Sequence, residues 1–328
     1  FRTPSLVAAN VGTEWAVVGA WLLGAAVSVV GALCYAELAT AYPHAGGDYH
    51  YFQKAYGEWV AFLFAWARLS VIQTGSIALL AFVFGDYASE MLSLGPHGSS
   101  IYAAGAVIVL TWMNMRNVRM GKGTQQVLTG ATIVGLLLLS WAGIFGVGEA
   151  STAAAPADGS GGGGSFGMAM VFVLLTYGGW NEAAFVSAEL EDVETNMSWS
   201  LFASIGVIAA LYLIVNVAYL NGLGMSGMIG SDVVAADLMR VAWGETGAMV
   251  LSALVVCAAL SSTNATIFTG ARTSYALGRD FRFFRFLGRW HGEGETPANA
   301  LLVQGAVALG LVGLGAATRQ GFESMVDY

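Results

Sequence analysis

The sequence predicts an all-α, multi-spanning membrane protein, and three observations carry that prediction. Of 328 residues, 56% are hydrophobic and only 10% charged, where a soluble domain carries about 25% charge. The mean hydropathy is +0.66. A soluble fold of this size cannot bury so much apolar surface, so the expected solvent is lipid. Finally, apolar stretches recur at the length a membrane crossing needs, about 20 residues. They lie at roughly 14–41, 57–85, 99–117, 124–148, 166–190, 199–222, 245–277 and 298–317, after a short apolar piece at 4–11. Glycine is abundant, at 44 residues, which suits helices that approach closely in lipid.

Taken in order, the elements each have a local reason. In "FRTPSLVAANVG", Thr3 is a plausible N-cap and Pro4 suits the first helical position. A helix therefore starts at about Pro4, after something non-helical, and its free N–H groups suit a carboxylate. The 14–41 span carries Glu14 at its outer end, where solvation explains it. The connector "AYPHAGGDYHYFQKAYG" (41–57) is polar, with a proline and two adjacent glycines. The 57–85 span holds Arg68, and Asp86 lies at its outer end. "NMRNVRMGKG" (114–123) is a basic connector between the 99–117 and 124–148 spans. "GEASTAAAPADGSGGGGS" (148–165) reads as a flexible natural loop rather than an inserted linker, since one pattern of spans continues on both sides. "GMSGMIGSDVVAADLMRVAWG" (224–244) has a weak amphipathic pattern at Val233, Val234, Leu238 and Val241, the mark of a short surface helix. "RTSYALGRDFRFFRFLGRWHGEGETP" (272–297) is strongly basic.

Charge placement sets orientation. One set of alternate loops holds Lys54; Arg116, Arg119 and Lys122; and Arg272, Arg279, Arg282, Arg285 and Arg289. The other holds Arg240 and Arg319, so the first set is expected to face the cytoplasm. The acidic "LEDVETNMS" (190–198) is a local exception, and the 148–165 loop falls outside. Flanked by spans, the 279–289 basic run reads as an orientation signal, not a nucleic-acid patch. The net charge of −8 adds little to this. Cys34 and Cys257 sit in apolar runs as small hydrophobes. The four histidines (His44, His50, His97, His291) lack metal-ligand spacing.

The 166–190 span poses a chemical question. Its centre, "LLTYGGWNEAAF", holds Gly178 and Gly179, then Trp180, Asn181 and Glu182. A glycine in a helix interior costs about 1 kcal/mol relative to alanine, so a pair makes unwinding cheap. Unwound backbone at membrane depth is tolerated only where it is buried in protein or lines a cavity, and such broken helices build transporter binding sites. The first half-helix should end in carbonyls near Thr176 and Tyr177, suited to an ammonium group. The second should begin near Asn181, whose side chain suits its cap. The alternative is a close helix contact at the glycines; the polar residues that follow them, which need a partner or water, favour the broken helix. One site offering carbonyls to an amine and amides to a carboxylate is a receptor for an amino-acid backbone.

These residues resemble a known family, the amino acid–polyamine–organocation (APC) permeases, in their L-type amino-acid transporter branch. "GALCYAELATAYPHAGGDYHYFQKAYG" (31–57) is similar to that family's second-helix signature, and "TYGGWNEAAFVSAELED" (176–192) to its broken sixth helix. "STNATIFTGARTSYALGRD" (262–280) and "TPANALLVQGAVALGL" (296–311) resemble its eighth and ninth helices and the loop between. The resemblance covers essentially the whole chain. It implies two inverted five-helix repeats in a twelve-helix protein, with the first and sixth helices broken. On that template the chain is one transporter domain, 1–328, truncated at both ends. It runs from the second half of the first helix, with Phe1 ending that helix's glycine-rich stretch, through the ninth helix to the start of the tenth.

By position, the resemblance makes Gly178 and Asn181 substrate-site residues, beside Leu175, Thr176, Tyr177 and Gly179. Leu175 stands where L-type members often have a gating phenylalanine. In "VIQTGSIA" (71–78), Ile72 and Ser76 take positions that face substrate. Asp192-Val193 replaces the family's Asn-Pro. Many members carry a lysine in the fifth helix, and here Thr132 occupies that position. In "AALSST", Ala259, Ser262 and Thr263 have the i, i+3, i+4 spacing of one helix face. Inverted-repeat transporters that bind sodium use that spacing, which makes the trio a candidate cation site; hydroxyls bonded back to helix carbonyls are the alternative.

A centred arginine such as Arg68 costs about 2.5–3.5 kcal/mol on insertion scales and needs a polar cavity or a carboxylate. Glu182 and Glu37 are the candidate partners, and Arg68, Glu37 and Trp180 the candidate gate residues. Few acidic groups and no histidine lie mid-span, which argues against a membrane-embedded enzyme. Every lysine lies in a loop, which argues against a retinal-type receptor. The expectation is a plasma (inner) membrane permease for neutral amino acids, working by alternating access, with lipid and an amino acid as partners and no nucleic acid. No cofactor or metal is expected beyond a coupling ion, sodium or a proton. An uncoupled exchanger, or a non-transporting protein of the same fold, is the alternative.

Overall fold

The computed structural model describes residues 3–116, 118–147, 164–190, 192–231, 233–290 and 296–317. Phe1, the 148–165 loop except its last two residues, His291, Arg319, the Arg119 side chain and the start of a tenth span lie outside the described residues or side chains. The described chain is almost wholly helical. Helix α1 (Thr3–Val11) already includes Thr3, the expected N-cap, as its first described residue. Helix α2 (Glu14–Ala41) has no proline within it and ends two residues before Pro43, as the restricted backbone ahead of proline requires. The 41–57 connector folds further than its polarity suggests. It contains α3 (Asp48–Tyr56), with Asp48 in its first turn and Lys54 in its last, matching the helix dipole.

Helix α4 (Glu58–Ala67) continues through a π-helical turn (Arg68–Ile72) into α5 (Gln73–Met91). Together they form one 34-residue span, a turn longer than the expected 57–85. Next come α6 (Gly98–Arg116), α7 (Val118–Phe145) and α8 (Phe166–Tyr177), then a 3-10 segment (Trp180–Glu189). Helices α9 (Val193–Ile229) and α10 (Val234–Asp280) are kinked at Gly224 and Gly244, and α11 (Ala298–Ala317) closes the described chain. The kink at Gly244 sets off the first limb of α10 as the expected surface helix. Val234 and Leu238 are buried on it together with Ala235 and Met239, whereas Val233 and Val241 are exposed. Among the described residues, seven helices are long and apolar enough to cross a membrane. The expected crossing at 166–190 is interrupted and is not among them.

Packing divides the chain into two compact units. One comprises Phe1–Glu37, Ile133–Asn181 and Glu194–Leu251. Within it α1 lies against α8, and Trp21 of α2, Tyr177 of α8 and Tyr212 of α9 form an aromatic cluster with centroids 5.1–5.9 Å apart. The apolar side chains this unit leaves exposed, such as Leu22, Val30 and Val207, are what a lipid solvent demands.

The other unit comprises Leu38–Thr132, Glu182–Val193 and Ser252–Tyr328. Its core joins Ile77, Phe82, Val107, Leu110, Ile267, Leu301 and Leu311, from α5, α6, α10 and α11. A smaller cluster of Tyr49, Ala61, Ala65, Ala276 and Leu277 ties α3 and α4 to the end of α10. Above it, the Tyr49 hydroxyl and the Gln53 amide both donate to Asp280 Oδ2, at 2.7 and 3.0 Å. The His44 and His50 rings stack 4.2 Å apart. Burial lowers both pKa values; the proximity of His50 adds to the effect at His44, as Lys54 does at His50. A histidine whose folded pKa is depressed binds fewer protons folded than unfolded. Stability is therefore present above about pH 6.5 and lost as pH falls through the lowered values. Thermal unfolding between pH 7.5 and 5.5 should show that loss, and His50→Gln should reduce it; equal loss in both proteins would refute the assignment.

Candidate functional site: the interrupted helix

Helix α8 stops at Tyr177. Gly178 is extended (φ −58°, ψ 165°), and its N–H reaches only the Leu175 carbonyl, at 3.3 Å. Gly179 has φ +101°. The chain resumes at Trp180 in 3-10 form. Asn181 therefore lies inside the first turn of the second segment instead of capping it, and its side chain makes no hydrogen bond among the described residues. Leu175 is 77% exposed, whereas Tyr177 is buried. The Thr176 carbonyl, expected to be free, accepts the Tyr212 hydroxyl at 3.1 Å. That leaves its second lone pair. The Thr176 hydroxyl donates back to the Phe172 carbonyl at 2.8 Å. The buried Tyr177 hydroxyl and Trp21 indole N–H find no partner among the described residues. Trp180 fits the notch left by Gly31 and meets Tyr35 edge-on at 5.2 Å.

The amino acid permease family model matches residues 1–327. The chain belongs to the amino acid permease family. It is 27% identical to the human b(0,+)-type amino acid transporter 1 over 320 residues, covering 94% of this chain and 64% of that protein. It is 28% identical to the human large neutral amino acids transporter small subunit 2 over 312 residues (92% and 58%). The mouse Asc-type amino acid transporter 1 is 26% identical over 313 residues (92% and 59%). The chain thus spans about three-fifths of the length of these curated relatives. The family is one of transporters rather than enzymes, and the permease is an integral, multi-pass membrane protein.

In its second unit the permease places Arg68, 5% exposed, against Glu182. Arg68 Nη2 donates to both carboxylate oxygens, at 2.7 and 2.6 Å. The Phe185 ring lies 4.3 Å from the guanidinium carbon and the Phe64 ring 6.0 Å. Of the two candidate partners, Glu182 is the one used; Glu37 lies exposed on α2. Arg68 opens the π-helical turn, a distortion that recurs at functional sites. Ile72 ends that turn and is exposed, and the Ser76 hydroxyl donates to the Ile72 carbonyl at 2.7 Å.

In the candidate cation trio, the Thr263 hydroxyl donates to the Ala259 carbonyl at 2.7 Å. Both residues are buried, whereas Ser262 is exposed. Thr132 likewise bonds back to the Leu128 carbonyl at 2.9 Å.

Sequence reasoning passed over a ladder of amides and hydroxyls beside these residues. Asn114 donates to Asn264 (2.7 Å), Asn264 to Gln125 (2.9 Å) and Gln125 to Ser261 (2.9 Å) and Thr129 (3.1 Å). A cavity of about 280 Å³ lies along it, lined by Gln125, Asn264 and Phe268 among others. The signal was present, since an amide inside an apolar span needs a partner. Replacing Asn264 with leucine leaves Asn114 only its bond to the Leu110 carbonyl and takes the donor from Gln125 Oε1, and should cost about 1–2 kcal/mol. An unchanged unfolding temperature would show that the ladder does not hold α6, α7 and α10 together.

Proposed function

We infer that the complete protein carries neutral amino acids across the plasma membrane by alternating access and binds them at the interruption after Tyr177. The observation that carries this reading is the extended, positive-φ backbone of Gly178 and Gly179 between two helical segments. The carbonyl end of α8 is electronegative and suits the substrate ammonium. The start of α1, in the same unit, offers N–H groups to its carboxylate. Leu175, Thr176, Tyr177, Gly178, Gly179, Trp180 and Asn181 include no residue charged at neutral pH, which supports a neutral side chain as cargo. Ile72 and Ser76 are proposed to contribute to side-chain recognition, and Arg68, Glu37 and Trp180 to gating. No nucleic acid has a part in this reading.

The curated relatives named above are transporters of amino acids by their names, which supports the cargo class. A coupling sodium ion at Ala259, Ser262 and Thr263 would require Thr263 to release its bond to Ala259. The same transport without sodium is the second reading, and the 2.7 Å bond favours it.

The test is uptake of a labelled amino-acid panel into liposomes bearing the full-length protein, with and without sodium and proton gradients. Saturable uptake of neutral amino acids is the expected result. Silence across the panel would refute the reading, and a dependence on sodium would favour the cation trio.

A further inference from the structure

We propose that the cleft between the start of α2 and the kink of α9 binds a phospholipid with a primary ammonium headgroup, of the phosphatidylethanolamine type. Every residue that lines this cleft belongs to the first unit, and none belongs to the interrupted helix.

The cleft has a volume of about 440 Å³. Glu14 and Trp15, from the first turn of α2, line it together with Asn221 of α9. Neither the Glu14 carboxylate nor the Asn221 amide has a hydrogen-bond or ionic partner among the described residues. The Trp15 side chain is 86% exposed. Val18, Val217 and Leu220 supply an apolar wall. At Gly224 (φ +67°) the helical run of α9 breaks, and an added Cβ would meet nothing within 4 Å, so the backbone there borders open space.

A free carboxylate, an indole and an amide oxygen together favour positive charge. The start of α2 carries only about half a positive charge, which leaves the Glu14 carboxylate with negative charge to spare. A bare metal ion fits poorly, because a hard cation such as calcium needs about six oxygens at roughly 2.3–2.6 Å, and the cleft is wide with one carboxylate and one side-chain amide. A quaternary ammonium is best held by a cage of aromatic rings, and one indole is no cage. A primary ammonium has three N–H donors. Glu14 and the Asn221 carbonyl can accept two of them, and the Asn221 N–H groups remain for the phosphate.

The surroundings favour a lipid over a free amine. Glu14 opens a 28-residue helix that is long and apolar enough to cross a membrane. Glu14 and Trp15 thus fall where a span meets the headgroups, the level at which tryptophan settles. Helices α2 and α9 run antiparallel from the cleft, since Val18 and Val217 share it and Trp21 meets Tyr212 at 5.2 Å. Leu22, one turn on from Val18, and Ile214, one turn before Val217, are both exposed. Spacings of four and three residues keep each on the face of its partner. An acyl chain can follow this apolar flank while its headgroup fills the polar mouth.

The test uses the full-length protein in detergent and counts bound lipid by native mass spectrometry. Dioleoyl phosphatidylethanolamine is compared with the phosphatidylcholine and phosphatidylglycerol of the same chains and with soluble glycerophosphoethanolamine. The wild type should hold one phosphatidylethanolamine about fivefold more tightly than phosphatidylglycerol, the scale of an exposed ion pair. Glu14→Gln should bring the two lipids level. Val217→Trp, which fills the cleft and leaves the carboxylate in place, should also remove the preference. Equal binding of the two lipids by the wild type overturns the proposal, and so does a preference that survives either substitution. Phosphatidylcholine bound as tightly as phosphatidylethanolamine overturns the assignment to a primary ammonium. Glycerophosphoethanolamine that displaces the lipid at matched concentration overturns the lipid in favour of a free amine. Lipid is counted without transport, so failure here leaves the transport reading untouched.

Discussion

Replacing Gly179 with valine abolishes amino-acid binding and leaves the protein folded; that is the expected result at the position on which the site depends most. Gly179 has φ +101°, and a Cβ there would meet nothing within 4 Å. The penalty is therefore one of backbone conformation and not of collision. An L-residue held in such a region costs about 1–3 kcal/mol, and a β-branched one sits at the upper end. The chain escapes that cost by rotating the peptide, which re-aims the amide of Trp180 and the groups around Asn181. A lowering of the unfolding temperature by a few degrees should accompany total loss of binding. Gly179→Asn should be milder, since asparagine tolerates positive φ better than most residues. Gly178 behaves differently. Its φ of −58° is open to any residue, and an added Cβ would lie 3.2 Å from the Leu175 carbonyl. Gly178→Ala should therefore weaken binding less than Gly179→Val. Normal affinity in Gly179→Val would mean that substrate is held elsewhere.

The two glycines also show how much could be read without coordinates. Two adjacent poor helix formers in an apolar span, followed by Trp180, Asn181 and Glu182, mark a break because unwinding there is cheap and the polar residues need partners. The same pattern does not say which glycine takes positive φ, nor that the chain resumes in 3-10 form at Trp180; those depend on what the second segment packs against. Arg68 could be identified as needing a carboxylate, since its cost in lipid is known. Choosing Glu182 over Glu37 required the fold, because the sequence contains no distance. The capping of the Thr176 carbonyl by Tyr212 was hidden for a related reason. A tyrosine 36 residues away, within the apolar run IAALYLIV of α9, reads as core until its hydroxyl is placed. A helix limit was legible where proline fixes it, as at Pro43 after α2. One was misplaced where Asp86 marked the expected end of a span that runs on to Met91.

Gly31→Leu is the second substitution with a large expected effect, and its consequence reaches the same break from α2. A Cβ at Gly31 would lie 2.6 and 2.7 Å from two ring atoms of Trp180, closer than real atoms approach. Trp180 begins the 3-10 segment, and its indole is rigid. It cannot give way without leaving the notch and the edge-on contact with Tyr35 at 5.2 Å. Overpacking of this kind costs about 1–3 kcal/mol, and the lost aromatic pair adds roughly 0.5–1.5 kcal/mol. Because Trp180 directly follows Gly179, expelling its ring also turns the backbone that is proposed to grip substrate. Gly31→Leu should therefore lose both stability and binding. Trp180→Ala alone loses packing without a clash. If the notch is what positions the break, the two changes are coupled, and Gly31→Leu/Trp180→Ala should be more stable than the sum of the single effects predicts by about 1–2 kcal/mol. Binding should stay lost in the double variant, since relieving the clash does not restore the anchor. Additive stabilities, with binding intact in Trp180→Ala, would show that the indole only fills space and that the interruption holds its shape without it.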